Sequence, residues 1–234
     1  MSTITTIPRP PFAPPMTPSV PAEERGVMRG VSWNLYDQLT EAIGERSSIR
    51  VAFDGKDVEI MVLGPIHENL GDLLSLFVNE VYDGLEIDCQ GLRSTTWKRP
   101  EVDRGVESDL CYYFDAVKLE VCEAAVARNS NDGADYPIPD LVIEIDISPS
   151  KIDRPGIYRT LRIPEVWRFE NDIVSIEQLA ADGTYVAAES SRYLHVRADE
   201  VTRWLIDGKS AKRREWKRRI QDWVRAELRP RAGL

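Results

Sequence analysis

Cysteine and histidine are scarce in this chain: three Cys and two His among 234 residues. Cys89, Cys111 and Cys122 are odd in number and lack metal-ligand spacing, which argues against a disulfide framework and against a Cys/His zinc site. A reducing cytoplasm is the expected compartment. Long apolar runs are also missing. None approaches the roughly 18 residues that a membrane-crossing helix needs, so no transmembrane span and no membrane partner are expected. The opening MSTITTIPRPPFAPPMTPSVP has neither a basic start nor an apolar core, so no secretory signal is expected. Glycine-rich phosphate loops are absent: neither GxGxxG nor GxxxxGK occurs, which removes the common nucleotide cradles. His67 and His195 lack the context of a nucleophile elbow, and a Ser-His-Asp site loses its support.

What is present is an ordinary globular composition, 42% hydrophobic and 29% charged, long enough for one domain with tails. Charge is uneven. Lys209 to Leu234 holds ten Lys/Arg against three Asp/Glu, a local +7 in a chain of net −9, which leaves −16 for the rest. Coating DNA non-specifically rests on neutralising phosphates. An acidic body can therefore meet nucleic acid only through a local basic stripe.

Residues 1–27 are rich in Pro, Thr and Ser and read as a disordered or loosely docked arm. The domain is expected over 28–208, and a basic helix with its tail over 209–234. Ser32 caps a predicted helix in which Leu35, Leu39, Ala42 and Ile43 recur at helical spacing. Ile49–Phe53 and Val58–Val62 alternate about Asp54-Gly55, a hairpin signal. A helix over His67 to Tyr82 turns Leu70, Leu73, Leu74, Phe77 and Val81 inward. Strands are predicted at 85–97 and 107–114, and a weakly patterned helix at 116–128. A near-continuous apolar strand spans Leu141–Ile147. Then come a helix at 153–161, three strands within 165–188, and helices at 199–205 and 209–228. The fold class is α/β, a mixed sheet flanked by helices.

The run Pro139-Asp-Leu-Val-Ile-Glu-Ile-Asp-Ile147 is the most informative. Alternate strand residues share a face, so Asp140, Val142, Glu144 and Asp146 point one way. Carboxylates in a strand built for burial are costly unless paired, protonated or bound to a cation. Asp109, just ahead of Leu110-Cys-Tyr-Tyr-Phe114, can meet Glu144 if the two strands are neighbours. Carboxylates around Mg2+ or Mn2+ suit metal-assisted phosphodiester hydrolysis. Pairing of Glu144 and Asp146 with buried arginines such as Arg159 or Arg168 explains the same residues without chemistry.

From about Trp33 to Arg225 the chain resembles the Uma-two family, a branch of the PD-(D/E)xK nuclease superfamily. The resemblance rests on Asp54-Gly55 followed by Glu59-Ile-Met61, and on Pro65-Ile-His-Glu68 opening a helix. Gly105-Val-Glu-Ser-Asp-Leu-Cys-Tyr-Tyr113, Pro139 to Ser148 and Ile157-Tyr158 through Ile163-Pro-Glu-Val-Trp-Arg168 follow in order. It implies a restriction-endonuclease-like αβββαβ core and a Mg2+- or Mn2+-dependent DNA endonuclease, working as a homodimer with one site per strand. By matching position it assigns Asp109 and Glu144 to catalysis and metal binding, and adds Glu68 as a further ligand. Asp146 stands where the superfamily has its lysine and counts as a fourth acid at the metal. In relatives a lysine at the start of the next helix takes over; Arg154 stands there, with Lys151 one turn earlier. Arginine can hold phosphate charge but cannot transfer a proton. Ser108 replaces the proline that usually precedes the motif aspartate.

Other features keep two readings. His67 caps a helix or orients a water. Trp97-Lys98-Arg99, with Arg93 and Arg104, is a phosphate-guiding stripe or a solvated loop. Lys212 to Arg219 is a helix docking Trp216, Ile220, Trp223 and Val224 on the core, or a nucleic-acid contact. The alternative to an active nuclease is a catalytically silent nucleic-acid-binding or oligomerising module that keeps the fold.

Overall fold

A computed structural model describes residues 23–44, 48–130 and 132–234. The first half of the chain forms β1 (Glu23–Met28), α1 (Trp33–Ile43), β2 (Ile49–Phe53), β3 (Val58–Leu63), α2 (Pro65–Leu85), β4 (Gln90–Leu92), β5 (Thr95–Arg99), β6 (Arg104–Ser108), β7 (Leu110–Tyr113) and α3 (Ala116–Ala127). Then follow β8 (Leu141–Asp146), α4 (Arg154–Leu161), β9 (Glu165–Glu170), β10 (Ile173–Leu179), β11 (Tyr185–Ala188), α5 (Ala198–Gly208), α6 (Arg213–Trp223) and α7 (Arg229–Ala232). A π-helical turn over Val224–Leu228 joins the last two helices.

The strands divide between two sheets, ordered β1-β3-β2-β6-β5 and β11-β10-β9-β8-β7-β4. Once β5 and β6, which belong to the first sheet, and α3, inserted between β7 and β8, are set aside, the elements of the second run α2, β4, β7, β8, α4 and β9, that is helix, three strands, helix and strand. This is the αβββαβ order, with β7 antiparallel and β9 parallel to β8. The parallel step needs a crossover, and α4 supplies it. The mixed α/β class holds. Two sheets in place of one follow from a single residue, Asp109, where one extended segment leaves β6 in the first sheet and enters β7 in the second.

Period-two patterning assigns the faces of β8. Leu141, Ile143 and Ile145 join the larger core with Leu70, Leu73, Leu74, Phe77 and Val81 of α2, while Val142 joins a second core with Ile157, Tyr158 and Trp97. Each of those α2 side chains contributes about 1.5–3 kcal/mol through its burial. Gly71 lets α2 approach β8, since a Cβ there would lie 3.5 Å from Ile145 Cδ1. Gly55 turns the β2–β3 hairpin with φ +90.

Several expectations change. Glu23–Met28 is not part of a loose arm: it pairs along β3 as an edge strand, held by charges that apolar periodicity does not register. The Pro-rich residues 1–22 lie outside the described residues. Ser32 does cap α1, accepting from Leu35 N, but the helix buries Tyr36, whereas Leu35 is exposed. The long strand expected at 85–97 is broken, because Leu85 ends α2 and only β4 and part of β5 are extended. The C-terminal helix docks Trp216, Ile220, Trp223 and Val224 in the core. Its cations meet the acidic body through Lys217–Glu80, Arg219–Asp207 and Arg229–Glu86, each at 2.6 Å. Among the described residues no helix is long and apolar enough to cross a membrane.

Candidate functional site

Register brings the two signal carboxylates together. Leu110 pairs with Ile143, so the next step of the ladder places Asp109 against Glu144. Asp109 Oδ2 accepts a hydrogen bond from Ile145 N at 2.9 Å. Asp109, Glu144 and Asp146 are all buried, where an uncompensated charge is expensive. The compensation comes from four elements.

Arg154, at the start of α4, is itself buried and puts Nη2 2.8 Å from Glu144 Oε2 and Nη1 3.7 Å from Asp146 Oδ1. One turn further, Tyr158 donates its hydroxyl to Glu144 Oε1. Arg25 of β1 reaches across to Asp146 Oδ1 at 2.6 Å, to Glu59 Oε2 at 2.8 Å and to Glu23 Oε1 at 2.5 Å. Arg50 of β2 lies 3.4 Å from Asp109 Oδ1 and 3.2 Å from Glu107 Oε1. His67, in the first turn of α2, sets Nε2 3.3 Å from Asp109 Oδ2 and 3.1 Å from the Ile145 carbonyl.

The protonation pattern is uneven. Burial pushes the Glu144 carboxyl up to about 7, with Asp109 and Asp146 adding to the rise against the pull of Arg154 and the Tyr158 hydroxyl. Burial likewise lifts Glu107 to about 7 despite Arg50, helped by the Asp109 charge. Burial would raise Asp109 too, but His67, Arg154 and Arg50 outweigh it and hold it below the usual range. His67 moves the opposite way: burial lowers it, yet its contact with Asp109 prevails and raises it. One carboxyl of the adjacent pair is thus kept ionised and its neighbour is poised to hold a proton near neutrality.

Of the residues singled out in the sequence, Asp109, Glu144, Asp146 and Arg154 come together. Glu68 does not join them: it is exposed, and the residue that the same helical turn carries inward is His67. Lys151 is exposed and donates to the Arg25 carbonyl at 2.9 Å, on the flank of the cluster. The arginine partner of Glu144 is Arg154 rather than Arg159 or Arg168; Arg168 comes only within 3.9 Å of Asp146. Trp97 is buried in the second core and cannot stack on a substrate. Lys98 is paired with Asp37 at 2.7 Å and Arg93 faces Asp72 at 3.6 Å.

Sequence reasoning missed Arg25, Arg50, Glu59 and Tyr158. Tyr158 alone left a signal, standing four residues after Arg154 and so on the same helical face. The other three lie on strands of the first sheet, far away in sequence.

Among the described residues no three His, Cys, Asp or Glu side chains form a ready cation cage. The donor chemistry still fits a hard ion. Asp109 Oδ1 and Glu144 Oε2 are buried carboxylate oxygens that face guanidinium groups, Arg50 at 3.4 Å and Arg154 at 2.8 Å, and a small divalent cation is commonly held by one or two carboxylates plus water and phosphate. The charge those oxygens would give to an ion is shared with Arg50 and Arg154.

The family model Uma2, described as "Putative restriction endonuclease", matches residues 33–202. None of the curated proteins matches. Among solved structures, a "putative nuclease belonging to DUF820" from Anabaena variabilis ATCC 29413 is similar over 75% of this chain and 99% of that one, at 15% identity and a TM-score of 0.47.

Proposed function

Because this chain belongs to the Uma2 family of restriction-endonuclease-type proteins, we propose that it is a divalent-metal-dependent endonuclease that hydrolyses phosphodiester bonds in DNA. The observation that supports this reading is the pair of buried carboxylates Asp109 and Glu144, which the register of β7 on β8 places against one another. These two would hold Mg2+ or Mn2+. The bound ion would supply a more acidic water and a neutralised phosphate oxygen.

The chain's own groups divide the remaining work. Arg154 stands where relatives carry lysine and stays protonated, so it steadies negative charge on the phosphate and does not move protons. Tyr158 on Oε1 and Arg154 on Oε2 fix the direction in which the Glu144 carboxylate faces the site. Asp146 positions Arg154 and Arg25. We further propose a cytoplasmic homodimer, one site per DNA strand. The outer face of α3 supports it, since Val117 and Val121 are exposed one turn apart.

Supercoiled plasmid incubated with the protein and Mg2+ or Mn2+ is expected to be nicked. Nicking should stop with EDTA and fall at least about 100-fold in Glu144→Ala, the scale of a lost charge-stabilising group. A folded wild type that leaves the plasmid intact with both ions would overturn the reading. It would favour the silent nucleic-acid-binding module, which has an observation of its own: Arg154 on Glu144 and Arg25 on Asp146 already neutralise the acids.

A further inference from the structure

We propose that His67 is a protein ligand of the metal centre, coordinating through Nε2 beside Asp109 Oδ2 and the Ile145 carbonyl, and that this nitrogen makes the site favour a first-row transition ion such as Mn2+ over Mg2+. The inference rests on the metal-dependent reading and names a donor that the sequence match placed instead at Glu68.

Geometry is the first support. Neighbouring ligands on an octahedral ion with bonds of about 2.1 Å lie about 3 Å from one another. His67 Nε2 stands 3.1 Å from the Ile145 carbonyl oxygen and 3.3 Å from Asp109 Oδ2, spacings that match two edges of such a polyhedron.

Construction is the second. His67 is buried, 2% exposed, at the head of a 21-residue helix whose apolar face locks it against β8. Its partner Asp109 is buried as well and turns Oδ2 to His67 while Oδ1 faces Arg50 at 3.4 Å. Nε2 lies within hydrogen-bond distance of the Ile145 carbonyl; as a ligand it would turn a lone pair to the ion, with the ring proton on Nδ1.

Selectivity follows from the donor type. Mg2+ takes oxygen ligands almost exclusively, whereas imidazole binds transition ions well. What separates this site from an all-oxygen one built with Glu68 is the nitrogen itself, read from its coupling to the bound ion.

The test is calorimetric titration of the full chain with Mn2+ and with Mg2+, paired with pulsed EPR of the Mn2+ form for nitrogen coupling. Wild type is expected to bind Mn2+ about 10-fold or more tightly than Mg2+ and to show 14N coupling. His67→Gln keeps an N–H for the Ile145 carbonyl but offers no imidazole. It should weaken Mn2+ binding about 10- to 100-fold, the range seen when groups around a metal are removed, and abolish the coupling. Glu68→Gln should leave both unchanged.

Wild-type Mn2+ affinity in a folded His67→Gln would overturn the assignment while leaving metal-dependent cleavage standing. Binding of neither ion by wild type would overturn both. Should His67→Gln fail to fold, the wild-type EPR alone decides: coupling supports the ligand, and its absence refutes it.

Discussion

At the scale of single residues, the cluster is a set of costs that offset one another. Removing one partner of a buried ion pair leaves a bare charge, worth about 3–5 kcal/mol, while replacing both is often close to neutral. Arg154→Ala is therefore expected to cost about 3–5 kcal/mol in urea unfolding, because it strips Glu144 of its cation. Arg154→Met combined with Glu144→Gln should recover most of that loss, and a double variant as unstable as the single would refute the pairing.

Glu107 gives a pH signature. Its folded value near 7 lies above the ordinary 4.5, so the folded state holds the proton more tightly. Stability is full below the ordinary value and is lost as pH rises toward and through 7. Glu107→Gln should gain on wild type by up to about 3 kcal/mol between pH 5 and 8, read from melting curves at both pH values.

Asp109 and Glu144 were legible in the sequence because two carboxylates interrupt an otherwise apolar pattern. Arg25 and His67 were not, since a lone arginine in a polar stretch and a histidine at a helix start look the same whether or not they turn inward.

Elements were legible wherever periodicity was clean. α2, β8, α4 and the Asp54-Gly55 hairpin all stand at or within a few residues of their predicted bounds. β1 escaped because its inward side chains are Glu23 and Arg25, so its alternation is one of charge and not of hydrophobicity. α3 shows why a weak pattern can still fold: it buries only Cys122 and Ala125, and its cap is made by Asp115 accepting from Val117 N and Lys118 N.

The close fit of α2 against the C-terminal segment is the element-scale feature with the sharpest test. A Cβ on Gly84 would meet Val224 Cγ1 at 2.7 Å, and valine has little rotamer freedom with which to yield. Gly84→Ala should destabilise the fold by about 1–3 kcal/mol despite its gain in helix propensity. A neutral result in chemical denaturation would show that the segment can shift.

For the whole molecule, the charge asymmetry of the sequence turns out to be internal. The basic C-terminal segment is spent largely on the acidic body, through Lys217–Glu80, Arg219–Asp207, Arg229–Glu86 and Arg231–Glu200. Such partly exposed pairs are worth up to about 1 kcal/mol each and are screened by salt. Lys217→Ala and Arg229→Ala should accordingly lower the melting temperature slightly at low salt and less at high salt. Under the proposed nuclease reading, neither substitution should alter the salt dependence of nucleic-acid binding, because both cations are already paired. Composition announced this asymmetry but not its use, which depends on where the last helix lies. The division into two sheets was equally hidden, since it needs only one residue at the end of β6 to turn the chain. That residue is Asp109, and the bend makes it the spine of a two-leaved structure. Arg25 and Arg50 sit on one leaf, Asp146 and Glu144 on the other, and the Arg25–Asp146 pair acts as the clasp across the open edge. Ser148 bonds Glu23 and Ser150 and Lys151 bond Glu59 along the same edge, so the clasp is stitched at several points and cutting Arg25 alone would fray it without parting the leaves.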